Sequence, residues 1–300
     1  MLYGNINVQE IILKEVHRFE KQKDVQVVFG AMVGSISKGM ERYDSDYDTR
    51  FLYLDKNLDF EMLEFNVDIM ESQVHQSLIP DKDGLFYDKV AFWEFSTFVN
   101  FLRRPVLDKK YSIGLYHIVP WTFMSPYNWD PYGIIGKIMP LIYEMYNENY
   151  EIAYYRDYIM NCLSKKAVLL REYIYSAYYG LAIEYCMRYH KFAPIYFPTL
   201  LNFCDDNELK KAIIELTNKY DYVTYKAVSN NSNCYVRKMT NCIETENSEI
   251  IDAFLHSILS KSQNFHPDFE NNGIEKNHVR DILDILYSSM NPRRVKGVND

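Results

Sequence analysis

The chain has 300 residues, 48% of them hydrophobic, and a net charge of −8, which allows two ordinary domains with real cores. The acidic balance argues against a coat that binds nucleic acid non-specifically, because such binding needs a broad basic surface. The richest apolar stretch, 167–187, is interrupted by Arg171, Glu172 and Glu184, so it does not read as a membrane span.

The first residues, Met1-Leu2-Tyr3-Gly4-Asn5, lack the basic start and apolar core of a signal peptide. The five cysteines, Cys162, Cys186, Cys204, Cys234 and Cys242, form no Cys-x-x-Cys pair and have no histidine at zinc-ligand spacing. Reduced thiols and a cytoplasmic location are expected.

In chain order, residues 8–23 carry apolar side chains at helical spacing, and 25–33 (Val-Gln-Val-Val-Phe-Gly-Ala-Met-Val) read as a buried strand. Gly34-Ser35 follows, then Ser37, Lys38 and, after a turn, Asp46-Tyr47-Asp48-Thr49-Arg50 at the head of a second strand running to residue 54. Gly34 permits a sharp turn with the backbone close to a ligand. Ser35 and Ser37 are expected to cap a short helix over about 36–42, whose start suits a triphosphate. Strand alternation puts Asp46 and Asp48 on one face, with Arg50 beside them. Paired carboxylates beside a phosphate cradle make a hard-oxygen site for Mg²⁺, and two such ions would activate an attacking oxygen and stabilise a leaving pyrophosphate. Arg50 would screen the carboxylates or touch a phosphate.

Further strands are expected at 84–93 and 66–71. A helix at 94–104 ends before Pro105. Pro120, Pro126 and Pro131 mark a linker or loop region. From 134 onward the pattern is helical: 134–148, 150–163, 165–190, 206–219, 247–261 and 275–289. Asp205-Asp206-Asn207 supply N-cap residues to the fourth of these. The tail 291–300 is expected to be disordered. Tyrosine is abundant, 27 residues, spread as core residues rather than as a stacking strip.

Gly34-Ser35 followed by Asp44-Ser45-Asp46-Tyr47-Asp48-Thr49-Arg50-Phe51 resembles the DNA polymerase β nucleotidyltransferase superfamily, and within it the RNA-repair-pathway DNA polymerase β family. Trp93-Glu94-Phe95, the helix from Arg171-Glu172-Tyr173-Ile174-Tyr175 to Tyr185, Pro194 and Phe197-Pro198-Thr199-Leu200-Leu201 extend the resemblance over about 25–220. Lys38 stands where that family usually has an aromatic residue, Tyr178 where an arginine is common, and Glu94 where it has aspartate. The resemblance implies a third carboxylate from a neighbouring strand. Asp88 is the first choice, as a lone acid in an apolar strand; Glu94 is the alternative.

The expected fold is α+β. A polymerase β-like α/β domain with a mixed sheet spans 1–120, and a helical bundle that holds substrate spans 121–290. The expected chemistry is transfer of a nucleoside monophosphate from a nucleoside triphosphate, ATP by default, to an acceptor hydroxyl on RNA, a protein or a small molecule. Asp46, Asp48 and Asp88 would hold Mg²⁺ or Mn²⁺; Gly34, Ser35, Ser37, Lys38 and Arg50 would hold the nucleotide. The rival reading is a non-catalytic, antitoxin-like or regulatory nucleotide-binding module on the same fold.

Overall fold

The computed structural model describes residues 2–3, 6–42, 45, 47–55, 69–72, 89–94, 119–120, 122–144, 146–230, 248–266, 281–282 and 284–285. Two short paired strands, β1 (Leu2–Tyr3) and β2 (Ile6–Asn7), precede helix α1 (Val8–Lys23). A five-stranded sheet is built from β3 (Val25–Met32), β4 (Asp48–Asp55), β5 (Ile69–Ser72), β6 (Lys89–Glu94) and β7 (Asn128–Trp129) in the order β5-β6-β4-β3-β7. β4 and β6 run parallel and the other pairs antiparallel, so the sheet is mixed.

Helix α1 covers one face of this sheet. Its Ile12, Val16 and Phe19 form one cluster with Val25, Val27, Met32, Phe51, Tyr53 and Phe92, with Phe19 stacked on Phe92 at 3.8 Å. Val25 and Val27 are odd-numbered and Met32 is even, yet they share a face. The register shift between Val27 and Phe29 explains this. One extra residue in a strand reverses its alternation. Downstream of the bulge, Phe29 pairs with Leu52 and Ala31 with Arg50. Because Phe51 and Tyr53 face α1, alternation sends Asp48 and Arg50 to the opposite face.

Residues 122–131, expected as a linker, contribute the edge strand β7. The Ser125 hydroxyl donates to the Met32 carbonyl (2.6 Å) and the Met32 N–H to Tyr127 (2.9 Å). Polar side chains in that Pro-punctuated stretch hold it against the free edge of β3, a tertiary bond that local turn signals do not encode.

The remaining helices are α3 (Ile134–Glu144), α4 (Glu148–Leu163), α5 (Leu170–Tyr189), α6 (Phe197–Phe203), α7 (Asn207–Asn230) and α8 (Glu249–Lys261). Both Asp130 carboxylate oxygens accept N–H groups at the start of α3. The helix expected to reach 148 stops at 144 because Asn147 caps α4, accepting the Asn149 N–H at 3.0 Å. Asp206 caps α7 as expected. α5 starts at Leu170 rather than 165, after Ser164 and Lys165 close α4 with turn bonds. α6, not expected as a helix, carries Pro198 in its first turn, where a missing N–H costs nothing.

α5 is buried along most of its surface and is the axis on which α4, α6, α7 and α8 pack. Its left-handed end, His190 (φ 52), pairs with Glu148 at 2.6 Å, a structural role. Tyrosines fill this core. Tyr155 stacks on Tyr179 at 5.0 Å, and the Tyr173 hydroxyl donates to Asp252 at 2.7 Å. Cys162, Cys186 and Cys204 are buried free thiols. Met40, from the turn after the short helix described below, belongs to the same cluster as α5.

Candidate active site

The turn between β3 and β4 is closed by their antiparallel pairing. Met32 faces Thr49, so the chain leaving β3 lies beside the chain entering β4. The Val33 N–H donates to the Asp48 carbonyl at 2.8 Å. Gly34 follows with φ 74 and opens the four-residue helix α2 (Gly34–Ser37). A β-carbon on Gly34 would stand 2.8 Å from Asp48 Oδ2. The glycine and the aspartate of the motif are therefore in contact, and the glycine is required twice, for its positive φ and for the carboxylate above it. Gly34→Ala is expected to cost roughly 1–2 kcal/mol through the left-handed backbone alone. It would also push Asp48 aside; an unchanged urea midpoint would refute this.

The serines are placed differently from the expectation. α2 starts at Gly34, with Val33 at its N-cap and no side-chain cap. Ser35 lies inside the helix, and its hydroxyl donates to Ser45 Oγ at 3.1 Å. Ser45 Oγ in turn accepts the Arg42 N–H at 2.8 Å. Ser37 is fully buried and returns its hydroxyl to the Gly34 carbonyl at 3.0 Å. With Val33 at the N-cap and both serines inside α2, neither serine occupies the cap position.

Lys38 ends this turn and is only 1% exposed. Burial, and then the neighbouring charges of Arg50 and Arg171, push its ammonium down to about 7, while Asp48 works in the opposite direction. Its carbonyl accepts the Phe197 N–H at 2.7 Å. Gly39 (φ 63) has no space for a side chain beside Tyr196 and Pro198. The loop after α2 is thereby docked on the segment following α5. Lys38 Nζ lies 5.6 Å from the Tyr175 ring centre, and the Arg171 guanidinium 5.7 Å from the same ring. The Arg42 guanidinium sits 3.1 Å over the Tyr220 ring.

The structure thus gathers Gly34, Ser35, Lys38, Asp48 and Arg50, and turns the Ser37 hydroxyl inward. Asp46 and Asp88 lie outside the described residues. In the parallel β4–β6 pair, Asp48 is matched with Lys89 and Tyr53 with Glu94. The Glu94 backbone is therefore about five residues, roughly 16 Å, along the strand from Asp48, too far to share a metal ion. Four residues of the site were not singled out for it from sequence: Arg42, Arg171, Tyr175 and Tyr220. The spacing of Arg171 and Tyr175, one helical turn apart, was a usable signal.

A cavity of about 420 Å³ lies on the α1 side, lined in part by Ile12, Met32, Thr49, Phe51 and Trp129. Thr49 and Phe51 alternate away from Asp48, so this cavity is separate from the carboxylate. Among the described residues no group of three or more His, Cys, Asp or Glu side chains could hold a metal ion. The Asp48 carboxylate, a hard oxygen donor seated over a glycine, fits Mg²⁺ as one of several ligands. Among the described residues no helix is long and apolar enough to cross a membrane.

Residues 8–81 match the model of the RNA repair pathway DNA polymerase beta family, which bears out the resemblance carried by Gly34-to-Asp48. The match suggests a polymerase beta-like nucleotidyltransferase. Over 200 residues, 65% of this chain and 69% of the other, the chain is 23% identical to a Bacillus subtilis (strain 168) protein described as uncharacterized protein YcgL. No solved structure gives a significant match.

Proposed function

We propose that the chain is a Mg²⁺- or Mn²⁺-dependent nucleotidyltransferase that moves a nucleoside monophosphate, from ATP by default, to an acceptor hydroxyl. The observation that carries this reading is the contact of the Asp48 carboxylate with Gly34 at the mouth of α2, with Lys38 and Arg50 alongside. Metal-binding carboxylate, phosphate-holding turn and cations converge as the reaction requires.

In this reading, Gly34, Ser35 and the uncapped start of α2 receive phosphate oxygens, and Lys38 and Arg50 balance their charge. Asp46, Asp48 and Asp88 would hold the metal. Lys89, the residue after Asp88, is the register partner of Asp48, so in sequence Asp88 is nearer than Glu94 to the level of Asp48, and it is taken as the third acid. Bound Mg²⁺ or Mn²⁺ would lower the pKa of the acceptor hydroxyl and neutralise the pyrophosphate. Asp88 takes the acceptor's proton, an oxygen–phosphorus bond forms at the α-phosphate, and the bond to the β-phosphate breaks.

Residues 1–120 would form the transferase unit and 121–290 the helical half that presents the acceptor. The family description names an RNA repair pathway, so RNA ends are the first acceptors to test, before proteins and small molecules.

The test incubates the full chain with α-labelled ATP, an RNA pool and Mg²⁺, with EDTA as control. Label in RNA and released pyrophosphate, both lost on chelation, are the expected result. Label transfer that survives chelation overturns the metal-dependent reading. ATP binding with no transfer to RNA, protein or small-molecule pools replaces it with the non-catalytic nucleotide-binding module.

A further inference from the structure

We propose that Arg171, at the start of α5, is a phosphate-binding residue that works with Lys38 as a clamp across the ring of Tyr175 and holds the trailing phosphates of the nucleotide. This inference rests on the nucleotide reading above and deepens it.

The two cations lie at nearly equal distances, 5.6 and 5.7 Å, from one phenol ring. They come from places far apart in sequence, the turn after α2 and the first turn of α5. Their chemistry differs as their positions do. Lys38 is buried at the floor, its backbone pinned by Phe197 and its next residue by Tyr196. Arg171 is exposed at the rim, where a ligand can reach it. A buried ammonium is a fixed point charge, whereas a guanidinium is a planar fork that grips two phosphate oxygens at once. Tyr175 is buried beside both, so its ring is a rigid spacer and its face suits each cation.

Position assigns the clamp to the outer phosphates. The reacting phosphoryl group belongs beside Asp48 and Gly34, where the carboxylate is. Lys38 is four residues beyond Gly34, at the far end of α2, and Arg171 lies on the helical side of Tyr175. A chain of phosphates that starts at Asp48 and follows α2 comes to Lys38 and then to Arg171. Like charges this close are mutually unfavourable, and each is stabilised when a polyanion lies between them. The clamp therefore favours triphosphate over monophosphate and joins the α2 loop to α5 when substrate is bound.

The experiment is calorimetric titration of the full chain, with Mg²⁺, using ATP, ADP, AMP and inorganic tripolyphosphate, for wild type, Arg171→Gln and Arg171→Lys. Wild type is expected to bind ATP and tripolyphosphate more tightly than AMP. Arg171→Gln should weaken ATP and tripolyphosphate about 10- to 30-fold and leave AMP unchanged, the loss of a charge-assisted bidentate contact. Arg171→Lys should recover part of that loss. Equal weakening of ATP and AMP, or no weakening of ATP, overturns the clamp while leaving the nucleotide reading in place. A wild-type chain that binds none of the four overturns both. The exposed position of Arg171 makes folding of the variants the expectation; should Arg171→Gln melt early, Arg171→Lys decides, since loss of ATP preference with the charge kept supports the fork and full retention of it refutes the fork.

Discussion

Asp48→Asn is expected to reduce nucleotidyl transfer on the order of 10³-fold, about 4 kcal/mol of transition-state stabilisation, while the protein stays folded. The amide has the shape of the carboxylate, so it still fits above Gly34, where Asp48 Oδ2 now sits. The backbone bond from Val33 N–H to the Asp48 carbonyl is untouched, so the β3–β4 turn keeps its geometry. What is lost is the negative charge that would hold a divalent cation. The change also removes a neighbour that favours the charged form of Lys38, against burial and the charges of Arg50 and Arg171. A purely structural Asp48, serving only as counterion to Lys38, would behave differently. The variant's thermal midpoint would fall by several degrees and residual transfer would track the folded fraction. Transfer equal to wild type at an unchanged midpoint removes Asp48 from the chemistry.

The second large effect is on stability, away from the site. Glu151 on α4 is completely buried. It accepts the Tyr146 and Tyr155 hydroxyls at 2.7 Å each and the Ala193 N–H at 3.4 Å. One carboxyl thus joins the α3–α4 connection, α4 itself and the segment after α5. Glu151→Ala leaves the buried Tyr155 hydroxyl and the half-buried Tyr146 hydroxyl without their acceptor and opens a void. Roughly 3 kcal/mol is the expected loss, or about 5–10 °C in thermal midpoint for a chain of this size.

Glu151 also sets a pH dependence. Burial pushes its carboxyl up to about 7, and the hydrogen bonds from Tyr146, Tyr155, Cys186 and Ala193 offset only part of that rise. The folded state therefore retains a proton that the unfolded chain releases near pH 4.5. This contribution is fully present below that value and is lost as pH rises through about 7. The thermal midpoint of wild type should fall across this window, and Glu151→Gln, which cannot titrate, should flatten the fall. Parallel profiles for the two proteins would remove Glu151 as its source.

Local patterns foretold much of the architecture. The apolar run 25–33 became β3, residues 8–23 became α1, and the helical periodicity after 134 became α3, α4, α5, α7 and α8, with boundaries moved where Asn147 and Leu169 interrupt the chain. The bulge at Val28, which reverses the alternation of β3, had no local signal, because bulges answer to packing against α1. The α2 caps were misassigned because the helix starts one residue before Ser35, which puts Val33 rather than a serine at the extended cap position. β7 was hidden because a two-residue edge strand is created by its partner.

The sequence by itself determined that Gly34, Ser35 and Asp48 meet at one turn, because their spacing and the strand period are local properties of the chain. It also determined that the latter half is helical and rich in tyrosine. Tertiary structure alone decided that Lys38 is buried, that Arg171 reaches the same ring as Lys38, and that Arg42 rests on Tyr220. It also decided that Glu94 lies strands' length away from Asp48. Each of these depends on which element packs against which, and on the register between parallel strands joined by a long connection. Both are set by burial and backbone pairing across distant segments, for which no short stretch of residues carries a signal.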